Sequence, residues 1–262
     1  MPESLFVPDG ERYLPTVLSR GPWSPDALHG GPPAALLARA VERFEGTDFF
    51  VSRLTVELLR PVPLEPLTVT ARLSRPGRKV QLVEASLRTD THEVARATGL
   101  RIRVKEIPLP ADLADELPPR AIPERSAASV HAPVFGDGFH NRAVEHRFAY
   151  GSFVDRGPAL DWMRLLVPLI PDEPTTPLQR VAALADFGNG ISSVLPPTHT
   201  YINPDLTVSL QRYPRGEWIC LDAKSRIEPA GIGVAESRLY DETGRIGTAI
   251  QHLIVDLREA IS

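Results

Sequence analysis

The sequence of 262 residues carries an internal repeat that begins with Leu54-Thr55-Val56-Glu57-Leu58-Leu59-Arg60 and returns 152 residues later as Leu206-Thr207-Val208-Ser209-Leu210-Gln211-Arg212. Both stretches alternate apolar and polar residues, as a strand with one buried face does. A proline turn follows each of them, at Pro61 and at Pro214. The spacing therefore predicts one unit of secondary structure that occurs twice in the chain.

The similarity continues along both halves. Each has a second apolar run, then a turn signal at Pro76-Gly77 or Pro229-Ala230-Gly231, then two further strand patterns. The predicted strands after the first repeat are residues 67–72, 80–88 and 94–104, and those after the second are 218–223, 234–240 and 246–257.

A helix pattern precedes each set of strands. In the first half, Pro32 and Pro33 open an Ala-rich run that extends to a stop near Gly46. In the second half, Thr176 is a suitable N-cap, Pro177 suits the first helical position, and the pattern runs to Phe187. Each half is then one helix followed by four or five mostly antiparallel strands, which predicts an α+β fold.

A stretch rich in proline separates the halves, from Pro108 to about Gly138. Because proline disfavours regular hydrogen-bonded ladders, we expect an extended linker that crosses the surface. The predicted division is a first unit at 1–107, the linker at 108–138 and a second unit at 139–262.

Composition excludes several classes of partner. The net charge is −4 without a basic stripe, which argues against nucleic-acid binding. No apolar run approaches the ~20 residues of a membrane span, and residues 1–14 do not resemble a signal peptide, so we expect a cytoplasmic protein.

The single cysteine, Cys220, is predicted to be a small buried residue. Only 3 of the 29 basic residues are lysines, which is typical of a GC-rich bacterial genome.

Two motifs carry a resemblance to a known family. Leu28-His29-Gly30-Gly31, before an Ala-rich helix, resembles the His-Gly-Gly signature of hot-dog thioesterases. Ala185-Asp186-Phe187-Gly188-Asn189-Gly190 resembles the second-half helix of the double-hot-dog acyl-CoA thioesterases, the type II family. The strands at 205–208 and 250–253 fit the same pattern, so the resemblance covers nearly all of the chain outside the linker. It implies a tandem hot-dog fold in which each helix is wrapped by an antiparallel sheet and the two sheets are continuous.

The resemblance also implies a site. The family's catalytic Asp, Thr and Gln, which hold one water molecule, correspond to Asp186, Asn203 and Gln251. Asn203 departs from the family's threonine: it can donate and accept hydrogen bonds but has no hydroxyl group. This implied set predicts acyl-CoA hydrolysis by Asp-activated water, in lipid metabolism.

The residues themselves leave alternatives open. Asp186 lies among apolar residues, where desolvation would suit a general base, but it could instead cap the end of its helix before Gly188. The free N–H groups of the helix N-terminus suit a developing oxyanion. Gln251 could be a solvated strand residue, and Asn203, before Pro204, could be a turn residue.

The halves differ in their candidate site residues. Ala38 and Thr98 stand at the positions that we align with Asp186 and Gln251, which predicts one working site, in the second half. His29 could cap the first helix or bind substrate, and Gly30 and Gly31 permit a close approach.

The remaining predictions concern ligands and assembly. Arg78, in a basic strand turn, could contact coenzyme A phosphates, although a solvated hairpin is an alternative. No histidine spacing suggests a metal pair, so we expect neither metal nor cofactor. We expect acyl-CoA as the substrate and a homo-oligomer. Two other functions stay open: a hot-dog module that binds acyl thioesters without turnover, and an enoyl-CoA hydratase. The hydratase is disfavoured because Ile191 stands five residues after Asp186, where that chemistry needs histidine.

Overall fold

The computed structural model describes residues 4–46, 48–110, 116–124 and 137–258. Within these ranges, thirteen strands form one antiparallel sheet. Two longer helices, α1 (Gly31–Glu42) and α2 (Pro177–Ala185), and a short helix, α3 (Gly188–Ile191), pack against it. The α+β class predicted from the sequence is correct.

Both longer helices begin where the proline signals predict. Gly30 is the N-cap of α1, with prolines in the first turn, and the helix ends at Glu42, four residues before the predicted stop. Thr176 is the N-cap of α2: its hydroxyl accepts a hydrogen bond from the Gln179 N–H at 3.3 Å, and the Gln179 side chain accepts from the Thr176 N–H at 3.3 Å. The predicted continuation to Phe187 is wrong, because α2 ends at Ala185 and Asp186 is its C-cap.

The strands have the following bounds. The first half contains β1 (Phe6–Asp9), β2 (Arg12–Pro15), β3 (Phe49–Leu58), β4 (Leu67–Arg75), β5 (Val80–Arg88) and β6 (Glu93–Arg103). The second half contains β7 (Val144–Tyr150), β8 (Ala159–Leu165), β9 (His199–Ile202), β10 (Asp205–Leu210), β11 (Ile219–Glu228), β12 (Ile232–Asp241) and β13 (Gly244–Leu257).

The order of strands across the sheet mirrors itself. It reads β1-β2-β4-β5-β6-β3-β10-β13-β12-β11-β8-β7, with β9 attached to β13. The two repeat strands, β3 and β10, therefore meet at the centre, where Thr55 pairs with Thr207. These are equivalent positions of the repeat, and the Thr207 hydroxyl donates to the Thr55 hydroxyl at 3.3 Å. The local two-fold axis of the duplicated chain passes between them.

The sequence patterns missed two strand pairs, β1–β2 and β7–β8, and the four-residue strand β9. The first pair consists of four-residue strands, too short for a clear period. In the second pair, Glu145, His146 and Asp161 are buried polar residues, so the apolar alternation is interrupted on the buried face. The first half consequently contributes two more strands to the sheet than the hydrophobic pattern shows, and the second half contributes three more.

The main core lies between the helices and the sheet. The two longer helices run antiparallel, because Gly31 at the start of α1 contacts Ala183 near the end of α2, and Thr176 before α2 donates to Glu42 at the end of α1 at 2.6 Å. A methyl group on Gly31 would lie 2.2 Å from the Ala183 carbonyl oxygen. The absence of side-chain atoms at Gly31 is therefore what allows the two helices to come so close.

Part of the linker lies on the opposite face of the second-half sheet, as expected for a surface crossing. Ile122 packs against a small apolar cluster that contains Trp162, Cys220 and Tyr240. The Trp162 indole N–H donates to the Arg120 carbonyl at 3.0 Å. Cys220 is fully buried there, as predicted, and burial raises the pKa of its thiol. In the part of the chain that the structure describes, no helix has the length and apolar character needed to cross a membrane.

Candidate active site

Asp186 is a buried carboxylate at the C-terminal end of α2. It is the C-cap residue, and its side chain is 5% exposed. Both the capping position and the apolar setting that the sequence suggested are therefore present. A carboxylate that has lost most of its water must find hydrogen-bond donors within the protein.

Two amide side chains donate to the same oxygen of Asp186. The Asn203 Nδ2 group lies 2.8 Å from Asp186 Oδ1, and the Gln251 Nε2 group lies 3.1 Å from it. Gln251 Nε2 also donates to the Asp186 backbone carbonyl at 3.1 Å. The structure thus brings together the three residues that the resemblance singled out, and it buries Gln251, which is 1% exposed on β13.

The direction of the Gln251 amide is fixed at both ends. Its Oε1 atom accepts a hydrogen bond from the Asn189 backbone N–H at 3.0 Å, so its NH₂ group must face Asp186. The Asn189 side chain donates in turn to Asn203 Oδ1 at 3.4 Å. Sequence reasoning assigned no role to Asn189. The available signal was a polar residue between two glycines, three positions after Asp186.

His29 faces the second oxygen of Asp186. Its Nδ1 atom lies 2.9 Å from Asp186 Oδ2, with the imidazole 11% exposed. The same Nδ1 atom lies 3.1 Å from the Gly31 N–H. Nδ1 cannot donate to the carboxylate and accept from Gly31 at once, so the position of one proton selects between the two contacts.

This contact changes the prediction that one half alone forms the site. Asp186, Asn203 and Gln251 belong to the second half, but His29 and the start of α1 belong to the first. A methyl group on Gly30 would lie 2.7 Å from Asp186 Oδ2, so the glycine is needed for the backbone to approach the acid. The start of α1 therefore lies beside Asp186, and α2, which Asp186 terminates, presents its C-terminal end there.

The corresponding place in the first half is apolar. The sheet register pairs Thr55 with Thr98 and Thr207 with Ile250, so the position equivalent to Gln251 is Gly99. The sequence alignment of Gln251 with Thr98 is therefore wrong by one residue, because the alignment offset of 153 differs from the offset of 152 that the sheet register gives. A methyl group on Gly99 would lie 2.2 Å from a Val41 methyl, which shows how closely α1 packs there.

A small pocket opens beside Asp186, and we call it the aromatic pocket. Its lining comprises Pro22, Trp23, His29, His140, Phe153, Asp186, Phe187, Asn189, Gly190 and Tyr201. The Trp23 and Tyr201 rings meet edge to face with centroids 5.6 Å apart. On the inner side, the Phe187 ring packs against His29, 4.7 Å between centroids, and against His146, 4.9 Å. The Asp186–His29 pair thus lies in the wall of a pocket made mainly of aromatic rings.

Other predicted residues lie elsewhere. Arg78 lies in the exposed turn between β4 and β5 and is not part of the pocket lining. Among the described residues, no group of three or more His, Cys, Asp or Glu side chains could hold a metal ion.

A buried histidine–aspartate pair lies behind the pocket, and sequence reasoning did not find it. His146 Nδ1 lies 2.6 Å from Asp161 Oδ2, and the Arg147 N–H donates to Asp161 Oδ1 at 3.1 Å. Burial raises the pKa of Asp161, although the contact with His146 opposes this change. The His146 ring contacts Phe187, the residue after Asp186, so the pair helps to hold that wall of the pocket.

Two family models match ranges that together cover most of the chain. A family model described as "Acyl-CoA thioesterase N-terminal domain" matches residues 19–102, and one described as "Acyl-CoA thioesterase C-terminal domain" matches residues 113–255. A search of curated proteins gives no match.

Three solved structures share the fold. A presumed thioesterase II from Thermobifida fusca is 18% identical, with a TM-score of 0.73 and coverage of 96% of this chain and 95% of that one. Acyl-CoA thioesterase II TesB2 from Mycobacterium marinum is 14% identical, with a TM-score of 0.68 and coverage of 100% and 97%. A conserved protein of unknown function from Alicyclobacillus acidocaldarius, with a hot-dog fold, is 18% identical, with a TM-score of 0.67 and coverage of 97% and 96%. The predicted double hot-dog is therefore confirmed.

Proposed function

Because the chain belongs to the acyl-CoA thioesterase family and is thus a thioester hydrolase, we propose that it hydrolyses acyl-CoA with Asp186 as the general base. One observation carries this proposal. Asp186 is a buried carboxylate with one oxygen held by two amides, while the other lies beside His29 in the wall of a pocket. Desolvation and fixed hydrogen bonds are the means by which proteins prepare a carboxylate for proton transfer.

The proposed reaction begins with a water molecule at Asp186 Oδ2. Asp186 takes a proton from the water as the new C–O bond forms at the thioester carbonyl. The C–S bond then breaks, and the departing thiolate receives the proton that Asp186 has taken. Asp186 returns to its starting state, and the products are a carboxylic acid and a free thiol.

His29 and Gly31 are proposed to act at the carbonyl oxygen. Pro32 and Pro33 have no backbone N–H, so Gly31 supplies the only N–H donor among the first three residues of α1. When His29 Nδ1 carries a proton and donates it to Asp186, this nitrogen can no longer accept a hydrogen bond from the Gly31 N–H. It is then available to stabilise the negative charge that develops on the thioester oxygen.

Asn203 and Gln251 are proposed to act through Asp186. The resemblance implied that they hold the water, but both amide groups donate to Asp186 Oδ1. In our proposal they fix the plane of the carboxylate so that Oδ2 faces the pocket. Asn203 can do this without a hydroxyl group, which accounts for the departure from the family's threonine.

Several further predictions accompany this function. We propose that the substrate is an acyl-CoA and that Arg78 contacts its phosphates from the exposed turn. We keep the division into units 1–107 and 139–262 with a linker at 108–138. Residues 111–115 and 125–136 of this linker lie outside the described ranges. A cytoplasmic location, a bacterial source, a role in lipid metabolism and a homo-oligomeric state remain proposals.

The test is release of free thiol from a panel of acyl-CoA thioesters. We expect Asp186→Asn to lower kcat/KM by about 10²- to 10⁴-fold, the usual contribution of a general base. The matched control is Asp90→Asn, which removes an acid whose side chain is 80% exposed, and its rate should equal that of the wild type. Equal rates for Asp186→Asn and the wild type would contradict the mechanism. Binding of acyl-CoA without any thiol release would favour a binding module.

A further inference from the structure

We propose that the acyl group that this protein releases is short and uncharged, and that it lies in the aromatic pocket beside Gly190. The inference rests on the proposed function, since it takes the pocket next to Asp186 as the place where the thioester is cleaved. It adds what the family membership leaves open, namely the size and charge of the acyl group.

The charge follows from the lining of the pocket. Among the described residues, the ten that line it include no lysine and no arginine, and its acidic member is Asp186 itself; the Arg258 guanidinium lies over the Trp23 ring, 6.0 Å from the ring centroid. A carboxylate on the acyl group would lose its water beside the Asp186 carboxylate, which is 5% exposed, and no lysine or arginine of the lining would replace that water. Like charges at this range repel strongly when little water lies between them. An acyl group with a terminal carboxylate is therefore disfavoured in this pocket.

The size follows from the volume of the pocket and from what lies behind it. The cavity volume is about 40 Å³. A cavity that holds one benzene molecule has about 150 Å³, and typical ligand pockets have about 300–1,000 Å³. Behind the pocket, Phe139 and Phe187 are 0% and 2% exposed, and their rings stack with centroids 5.6 Å apart. This closed inner wall leaves space for a few carbon atoms and stops a longer chain.

Gly190 is the residue of the pocket lining at which a larger side chain can be introduced to test the proposal. It lies in the last turn of α3, next to Asn189, and its φ angle is not in the left-handed region. A methyl group on Gly190 would meet no atom within 4 Å. Gly190 is part of the pocket lining, so a larger residue placed there meets neither collision nor backbone strain and adds side-chain atoms at the edge of the space proposed for the acyl group.

The first measurement compares acetyl-, butyryl-, octanoyl-, palmitoyl- and succinyl-CoA as substrates of the full-length protein, below the concentrations at which the long thioesters form micelles. We expect kcat/KM for butyryl-CoA to exceed that for octanoyl- and palmitoyl-CoA by at least about tenfold. Succinyl-CoA has the same chain length as butyryl-CoA but carries a carboxylate, and we expect at least about a tenfold lower value for it. Octanoyl- or palmitoyl-CoA turned over as well as butyryl-CoA would overturn the proposal, as would equal rates for succinyl-CoA.

The second measurement changes the pocket. Gly190→Val should lower the ratio of kcat/KM for butyryl-CoA to that for acetyl-CoA by about tenfold, since one methylene group in an apolar pocket changes such ratios by about 10- to 200-fold. Gly190→Ala should change it less, and it serves if the valine variant does not fold. Ala230→Val, at an exposed turn, is the control and should leave the ratio as in the wild type. An unchanged ratio in both Gly190 variants would overturn the placement of the acyl group.

The two proposals fail in different ways. If the wild type releases thiol from no thioester of the panel, the hydrolytic mechanism fails and the acyl pocket fails with it. If it releases thiol with a preference for the long chains, only the assignment of the acyl pocket fails.

Discussion

Four positions distinguish the half-site that we propose to be active from its apolar counterpart. The repeat offsets relate Asp186 and Asn189 to Ala38 and Val41 on the helices, and Asn203 and Gln251 to Val51 and Gly99 on the strands. A buried polar group without a partner costs about 1–3 kcal/mol, so the loss of one member of such a set makes the others costly to keep. The apolar packing at all four positions is the stable alternative to the complete hydrogen-bonded set.

Gln251 is proposed to act by positioning Asp186, and a substitution at Gln251 tests this role. Gln251→Leu removes one donor from Asp186 Oδ1 and leaves the Asn189 N–H without its acceptor. We expect kcat to fall by about 100-fold, the effect of misplacing a catalytic group by about 1 Å. KM should change little, because Gln251 is 1% exposed and is not part of the pocket lining.

The matched control for this variant is Gln211→Leu, at an exposed position after β10. Steady-state kinetics with a single acyl-CoA suffice for both variants. An increase in KM at constant kcat in Gln251→Leu would show that Gln251 binds substrate, which contradicts a positioning role.

Asp241 gives a prediction about pH and stability. Burial alone would raise the pKa of its carboxyl group, but hydrogen bonds from Arg212, the Arg215 N–H and Thr243 outweigh this effect and lower the pKa below its ordinary value of 3.8. A lowered folded-state pKa stabilises the fold above the ordinary value, and this stability is lost as the pH falls through the lowered pKa.

Asp241→Asn should therefore lower the free energy of unfolding at pH 7 by about 3 kcal/mol, the usual cost of breaking a buried ion pair. Urea denaturation between pH 7 and pH 2 should show a difference from the wild type that is constant down to about pH 4 and shrinks below it, where the carboxyl group of the unfolded state becomes protonated. Asp256→Asn, at an exposed position, is the comparison that should show no such loss. A difference that grows towards low pH would contradict the assigned direction.

At the level of elements, the site depends on how closely the two longer helices approach each other. Gly31 contacts the Ala183 carbonyl, and Gly30 contacts the carboxylate of Asp186, so the first turn of α1 is held against the end of α2. Neither glycine has a φ angle in the left-handed region. The requirement for glycine here comes from the distance between the helices and not from backbone conformation.

Gly31→Ala tests this approach. The new methyl group would lie 2.2 Å from a buried carbonyl oxygen, which cannot rotate away as a side chain could. We expect a loss of about 1–3 kcal/mol in the free energy of unfolding, the usual cost of overpacking, and a lower kcat because α1 moves away from Asp186. Gly190→Ala is the same substitution with no neighbour within 4 Å, and its unfolding curve should stay close to that of the wild type. A stable and fully active Gly31→Ala variant would contradict the role of close packing.

For the whole molecule, the mirrored order of the strands explains why one site uses both halves. The repeat strands meet at the centre of the sheet, so the two longer helices lie side by side and antiparallel, each with its start beside the other's end. One such end carries His29 and Asp186, and the other carries Thr176 and Glu42. Duplication therefore provides two possible half-sites, and the side chains decide which one can do chemistry.

The described part of the linker gives a prediction at this scale. Ile122 packs on the face of the second-half sheet that is opposite to the helices and to the pocket. Ile122→Ala should lower the free energy of unfolding by about 1 kcal/mol, since this side chain is only half-buried, and should leave kcat/KM unchanged. Thermal unfolding and thiol release measure the two effects. A large loss of activity without loss of stability would show that the linker acts on the site.

Much of this molecule follows from local pattern. Apolar alternation predicted the strands that match β3 to β6 and β10 to β13, because these strands have one face on the core. Proline and threonine signals located the starts of both longer helices. The sequence patterns did not reveal β1, β2 and β9, which are four-residue strands, or β7 and β8, which carry buried polar residues. The resemblance named Asp186, Asn203 and Gln251, which the structure places within hydrogen-bond distance.

The sequence by itself determined the duplication and the α+β class, since these depend on periodicity, and a resemblance in one short motif singled out Asp186. Only the tertiary structure decided that His29 faces Asp186 from the other half, that Asn189 fixes the Gln251 amide, and that the pocket is small and uncharged apart from the site itself. The reason is physical: these contacts join residues that are far apart in the chain, and the packing of two antiparallel helices on one sheet sets their distances.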